Sequence, residues 1–148
     1  MAKINVYLNF KGNCEAAFDF YKSVFEKEFT FIGRFKDIPP SEGMPAIPAE
    51  VADKIMHVSL PINDGNMLFG SDVVDGFCGD YQYIPGNNIS ISIDTESKEE
   101  ADTLFNRLVE NGNTTMAIGD TFWGAYFGSL TDQFGINWMI NYDYKPNN

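Results

Sequence analysis

The sequence is short of the residues that most often do chemistry. Its 148 residues include one histidine, His57, and two cysteines, Cys14 and Cys78. A single imidazole excludes a two-histidine metal centre within one chain. The cysteines show no CxxC spacing, so they are expected to be reduced thiols in a cytoplasmic protein, with a disulfide or a nucleophilic Cys14 as the alternatives. Glu15 beside Cys14 speaks against the nucleophile, because a neighbouring negative charge raises a thiol pKa. Basic residues are also scarce: 10 Lys and Arg stand against 21 Asp and Glu, for a net charge of −11. Such a surface repels phosphate backbones and excludes nucleic acid as a partner. No apolar run approaches the roughly eighteen residues of a membrane span. The opening MAKINVYLNF lacks the basic and long apolar regions of a signal peptide. Nucleophile-elbow, P-loop, EF-hand and zinc patterns are all missing.

What is present is apolar and bulky. Apolar residues make up 44% and aromatics 15%, with thirteen Phe. That suffices for one domain with a proper core, or for two small similar halves. The second option is written into the chain. ISISIDT (89–95) alternates apolar and polar, then gives way to the helical spacing of ESKEEADTLFNRLVE. INVYLNF (4–10) followed by KGNCEAAFDFYKSVF does the same. Superposed at an offset of 89 − 4 = 85, Ile4, Val6 and Leu8 fall on Ile89, Ile91 and Ile93. In the same register Ala16, Phe20 and Val24 fall on Ala101, Phe105 and Val109, which predicts one helix face packed on a sheet. Ser97-Lys98-Glu99-Glu100 has capping-box spacing; Gly12 is the counterpart cap, with Asn13 as the alternative.

Three further strands follow each helix, near 28–36, 54–62 and 66–72, then near 114–119, 124–131 and 136–142. Here Leu60 matches Leu130 and Gly65 matches Gly135, an offset of 130 − 60 = 70. The first half therefore carries an extra loop, and IPPSEGMPAIPAEVAD (38–53), with four prolines, is where it sits. A loop of this length is a lid, a passive insertion or a dimer contact. Residues 73–87 link the halves, and their aromatics Phe77, Tyr81 and Tyr83 are placed to cover one end of a pocket. The chain thus reads as one domain: module one about 1–72, a linker about 73–87, module two about 88–148.

Two β-α-β-β-β units resemble the vicinal oxygen chelate superfamily, which includes glyoxalase I, bleomycin-resistance proteins and extradiol dioxygenases. The blocks YLNFKGNCEAAFDFYKSVF, KIMHVSLPINDGNMLFGSD and DTFWGAYFGSLTDQFGINWMINY resemble its PhnB-like branch over nearly the whole length. The resemblance implies an α+β fold in which the modules form a cupped, open mixed β-barrel with helices outside. It also implies a homodimer. Asn5, Tyr7 and Asn9 would then face the cavity, as would Ser90, Ser92 and Asp94. Many relatives carry a methyltransferase label. A nucleotide-like cofactor asks for a Gly-rich strand-to-helix turn, and only the lone Gly12 follows INVYLNF.

Enzymes of the superfamily hold a divalent metal with His and Glu ligands on four strands. By position, the resemblance carries those ligands onto Asn5, Ser71, Ser90 and Asn141. Neutral amide and hydroxyl groups bind Zn²⁺, Ni²⁺ or Fe²⁺ poorly. The expectation is a metal-free protein without cofactor that binds a small organic molecule. The rivals are a metal-dependent glyoxalase- or dioxygenase-type enzyme, a protein-interaction module using the aromatic surface and the 38–53 loop, and polar groups that merely line a filled core. In KIMHVSLPI, Met56, Val58, Leu60 and Ile62 read as helix-facing, while His57, Ser59 and Pro61 read as cavity-facing. His57 is then structural, a ligand-binding group, or a weak candidate for acid–base catalysis. Trp123 and Tyr126 would either stack on a planar ligand or pack on a partner or the core. Asp132 reads as a turn residue and Trp138 as core. The expected ligand-binding set is Asn5, Tyr7, Asn9, His57, Ser71, Ser90, Trp123, Tyr126 and Asn141.

Overall fold

A computed structural model describes residues 1–39, 41–43, 46–75 and 82–144. The chain divides into two compact units, Met1–Ile84 and Pro85–Asn148. In the first, β1 (Val6–Phe10), α1 (Cys14–Phe25), β2 (Phe31–Arg34), β3 (Ile55–Asn63) and β4 (Asn66–Asp72) form a β-α-β-β-β module. Its open sheet has the order β1-β4-β3-β2, with β1 and β4 parallel and the other pairs antiparallel. The second unit repeats the plan with β5 (Ile91–Asp94), α3 (Lys98–Leu108), β6 (Asn113–Asp120), β7 (Ala125–Thr131) and β8 (Asn137–Asp143), ordered β5-β8-β7-β6. The fold is α+β, built from two β-α-β-β-β modules.

The repeat holds, with one slip. Val6 pairs with Leu68 and Ile91 with Trp138, so the first strands keep the offset of 91 − 6 = 85 and the last strands that of 138 − 68 = 70. The helices do not. α1 buries Cys14, Ala17, Phe18, Tyr21 and Val24, while α3 buries Ala101, Phe105 and Leu108. Ala17, Tyr21 and Val24 therefore match Ala101, Phe105 and Leu108 at 108 − 24 = 84. The strand-to-helix connection is one residue shorter in module two. Ala16 is exposed and Phe20 only half-buried, because one residue of slip turns a helix by about 100°. Val109 is the C-cap of α3, not part of its packed face.

The two helices start differently. Ser97 caps α3 as expected, accepting the Glu100 amide at 3.0 Å. The return bond goes from the Glu96 amide to Glu100, one residue before the cap. In α1 neither Gly12 nor Asn13 caps through a side chain; Asn13 occupies the cap position without such a bond. The buried carboxylate of Asp72, at the end of β4, does the work instead. Its Oδ1 accepts the amides of Gly12 and Cys14 at 3.0 and 2.9 Å, and its Oδ2 accepts that of Ile55 at 2.9 Å. One side chain thus fastens β1's exit, α1's start and β3. In module two the comparable anchor is Asp132. It accepts the amides of Phe134 and Ile136 and the indole of Trp138, which is buried as expected.

The helices need close approach to the sheets. A Cβ on Gly70 would meet the Phe18 ring at 2.3 Å, and one on Gly128 would meet the Phe105 ring at 2.9 Å. Within the 38–53 loop, Val51 of the short helix α2 (Ala49–Ala52) is buried. Arg34 donates to Glu15 and to the Asp53 carbonyl, and Lys36 pairs with Asp53. The loop's C-terminal end is therefore tethered. Pro40, Met44 and Pro45 lie outside the described residues, as do Phe77, Cys78 and Tyr81 of the linker.

Candidate functional site

The helix-free face of the first sheet carries a row in register across all four strands. Tyr7 pairs with Phe69, Phe69 with Ser59 and Ser59 with Phe31. Three of the four are aromatic, and the small Ser59 leaves a gap. His57, two residues earlier on β3, fills it. Its ring lies 5.7 Å from Tyr7, 5.4 Å from Phe69 and 5.9 Å from Phe31, centroid to centroid. Both imidazole nitrogens have partners: Nδ1 lies 3.3 Å from the Tyr7 hydroxyl and Nε2 lies 3.0 Å from Ser59 Oγ. The chain runs from buried Ser59 through His57 to Tyr7, which is 46% exposed.

Strand parity places these groups. Leu8 and Phe10 are buried towards α1, so Tyr7 and Asn9 point the other way. On β3, Val58 and Leu60 face the helix as expected. Met56 does not; Ile55 is buried instead, because the register with β2 shifts between Gly33 and Arg34. That irregularity leaves His57 and Ser59 on the same side. Ser59 is among the cavity-facing residues, but Phe31 and Phe69 are absent from the expected site. The signal for Phe69 is the alternation of NMLFGSD, where Leu68 and Gly70 are buried.

Several expected positions are not brought together. β1 begins at Val6, so Asn5 precedes it, and Ile4 is 96% exposed. The strand neighbour of Ser71 is Asn9. Asn5 lies four residues back, roughly 13 Å along an extended chain. In module two the neighbour of Asn141 is Asp94, while Ser90 precedes β5 and is exposed. Asn5 and Ser71 are therefore not strand neighbours in the first module, nor are Ser90 and Asn141 in the second. The adjacent pairs Asn9–Ser71 and Asp94–Asn141 bring one carboxylate between them. The Asn141 amide is already spent on Asp94 and Asp143, at 3.2 Å each. Among the described residues no three His, Cys, Asp or Glu cluster to hold a metal ion. His57 has both nitrogens engaged, and among the described residues no carboxylate is bonded to it. These donors do not fit a divalent centre.

Tyr126 also lies elsewhere. It is buried on the helix side of β7, its hydroxyl donates to Asp102 of α3, and the Lys98 ammonium sits 4.6 Å from its ring centre. The bond to Asp102 pushes its phenol up to about 12. Trp123 is exposed, edge-on to Phe122 at 4.9 Å and 6.1 Å from Phe127. The Cys14 thiol is fully buried, and burial, then Asp72 and Glu15, push it far above its ordinary value.

The same row in module two is Ser92, Met139, Ser129 and Met116. Ser129 matches Ser59, but Phe127 stands where His57 stands, and Ser129 Oγ pairs with Thr115 at 2.7 Å. The Ser–His–Tyr chain exists in module one alone.

Two open mixed sheets, each backed by one helix in a β-α-β-β-β repeat, define the glyoxalase/bleomycin resistance/dioxygenase fold. A structure of that class from Burkholderia phytofirmans PsJN shares it at 16% identity and a TM-score of 0.63. Within that class, the model of the 3-demethylubiquinone-9 3-methyltransferase family matches residues 2–141, and the chain belongs to this PhnB-like family. It is similar to protein PA1353 from Pseudomonas aeruginosa, with 38% identity, a TM-score of 0.81, and coverage of 97% of this chain and 98% of that one. It is also similar to a PhnB protein from Bacillus cereus, with 26% identity, a TM-score of 0.70, and coverage of 95% and 99%. Protein YjdN of Escherichia coli K12 is 29% identical over 143 residues, 93% of each chain.

The family's description implies a methyl-group cofactor. A nucleotide-like cofactor is ordinarily cradled by free amides at a Gly-rich strand-to-helix turn. Here the amides of Gly12 and Cys14 are held by Asp72, and that of Glu100 by Ser97. Neither turn fits such a group.

Proposed function

We propose that the chain is a small-molecule binding protein that works without a metal and seats an organic ligand on the open face of the first module. The observation that carries this is the Ser59–His57–Tyr7 chain framed by Phe31 and Phe69. It offers polar groups at fixed positions among apolar walls, the usual composition of a ligand site. Asn9 and Ser71, neighbours in register on the same sheet, extend its polar rim. The proposal includes a homodimer and a cytoplasmic setting. Among the described residues no helix is long and apolar enough to cross a membrane.

A thermal-shift screen of organic compounds tests the reading. A ligand at a hundredfold excess over its Kd stabilises the folded state by about 2.7 kcal/mol. The rise in melting temperature should disappear in His57→Ala. A screen without a hit, together with a retained divalent ion, would move the assignment to a metal-dependent glyoxalase- or dioxygenase-type enzyme.

A further inference from the structure

The direction of the hydrogen bonds in the Ser59–His57–Tyr7 chain is fixed at its buried end. Ser59 is 7% exposed, and among the described residues its hydroxyl oxygen has one partner, Nε2 of His57. Its carbonyl serves Thr30. A buried hydroxyl proton without an acceptor is costly, so the Ser59 O–H donates to Nε2. Nε2 is then the bare nitrogen and Nδ1 carries the proton, since a neutral imidazole has one of each. Nδ1–H donates to the Tyr7 oxygen. The Tyr7 O–H is left pointing away from His57, on an exposed side chain, with no acceptor among the described residues.

That free donor stands at the end of a row of rings. Tyr7 and Phe69 lie 6.3 Å apart, and Phe69 and Phe31 each lie within 6 Å of His57. Their faces suit a flat π-system, which gains offset or edge contacts that a puckered ring does not. No Lys or Arg is bonded to the cluster among the described residues, and the chain carries a net charge of −11. The field of such a protein disfavours an anion. We propose that this site takes a neutral, flat aromatic compound bearing a conjugated carbonyl oxygen, with the ring against Phe31, His57 and Phe69 and the oxygen on the Tyr7 hydroxyl. Tyr7 is the specificity-determining residue. The proposal rests on the binding role given to this face above.

Three matched probes separate its parts: acetophenone has both ring and carbonyl, cyclohexyl methyl ketone lacks the flat ring, and ethylbenzene lacks the acceptor. Each is titrated into isotope-labelled protein while the Tyr7, Phe31, His57 and Phe69 resonances are followed. Acetophenone should shift these signals saturably, and tighter than either analogue by roughly fivefold to tenfold. Tyr7→Phe, which keeps the ring, should bring acetophenone down to the affinity of ethylbenzene. If cyclohexyl methyl ketone or ethylbenzene binds equally well at these residues, the ligand class is wrong while the binding role stands. If no probe reaches the face and the broad screen also fails, both fall. If the same signals move only with protein concentration, a second copy of the chain covers the face and the site is overturned.

Discussion

The indole N–H of Trp138 donates to Oδ2 of Asp132 at 2.9 Å, inside the core of module two. The other carboxylate oxygen holds the amides of Phe134 and Ile136 at 2.8 and 3.0 Å. A turn and the strand that follows it are therefore tied by one side chain. Asp132→Ala leaves three donors to find new partners, one of them deep in the core. The expected cost is about 3 kcal/mol, read as a fall in the urea midpoint at unchanged slope.

Asp72 makes the corresponding test in module one. Asp72→Asn puts an amide N–H against one of the backbone N–H groups of Gly12, Cys14 or Ile55. It should cost about 2–3 kcal/mol. Glu15→Gln, which breaks the exposed pair with Arg34, should cost no more than about 1 kcal/mol. Equal losses from the two variants in urea denaturation would contradict the assigned role of Asp72.

Gly70 provides a packing test. An added methyl meets the Phe18 ring at 2.3 Å, and overpacking of this kind costs about 1–3 kcal/mol. Gly70→Ala should lower the melting temperature, and Phe18→Leu should recover part of the loss by making room. No recovery in the double variant would place the strain elsewhere.

The Cys14 thiol gives a pH test. Burial and the nearby carboxylates of Asp72 and Glu15 push its pKa above the ordinary 9.0. The folded state therefore resists ionisation, and this contribution to stability is full below the ordinary value and declines as pH rises above it. In a Cys78→Ser background, a maleimide at pH 8 should leave the native protein unmodified and label it only in denaturant. Rapid labelling of the folded chain would contradict the burial.

Much of the fold was legible because periodicity is a local property. Period-2 runs located the strands to within a few residues, and Val6/Ile91 and Leu8/Ile93 kept their offset. The helix register slipped by one, since a deletion in a loop leaves no mark on either flank. Within the site, parity placed Tyr7, His57 and Ser59 on one side. It also speaks against Tyr126, which shares its strand face with the buried Gly128 and Leu130. Strand-to-strand register was not legible. Nothing in one sequence says that Ser71 sits beside Asn9 and not nearer Asn5.

The central claim is that this site binds an organic molecule through the Ser59–His57–Tyr7 chain and needs no metal. The most direct test is the metal content of the purified protein by inductively coupled plasma mass spectrometry, after separate dialysis against Ni²⁺, Zn²⁺, Mn²⁺ and Fe²⁺ and then buffer. The account predicts no stoichiometric retention of any of the four, in wild type and in His57→Ala alike. Retention of about one ion per chain, lost in His57→Ala, would make His57 a ligand and contradict the account.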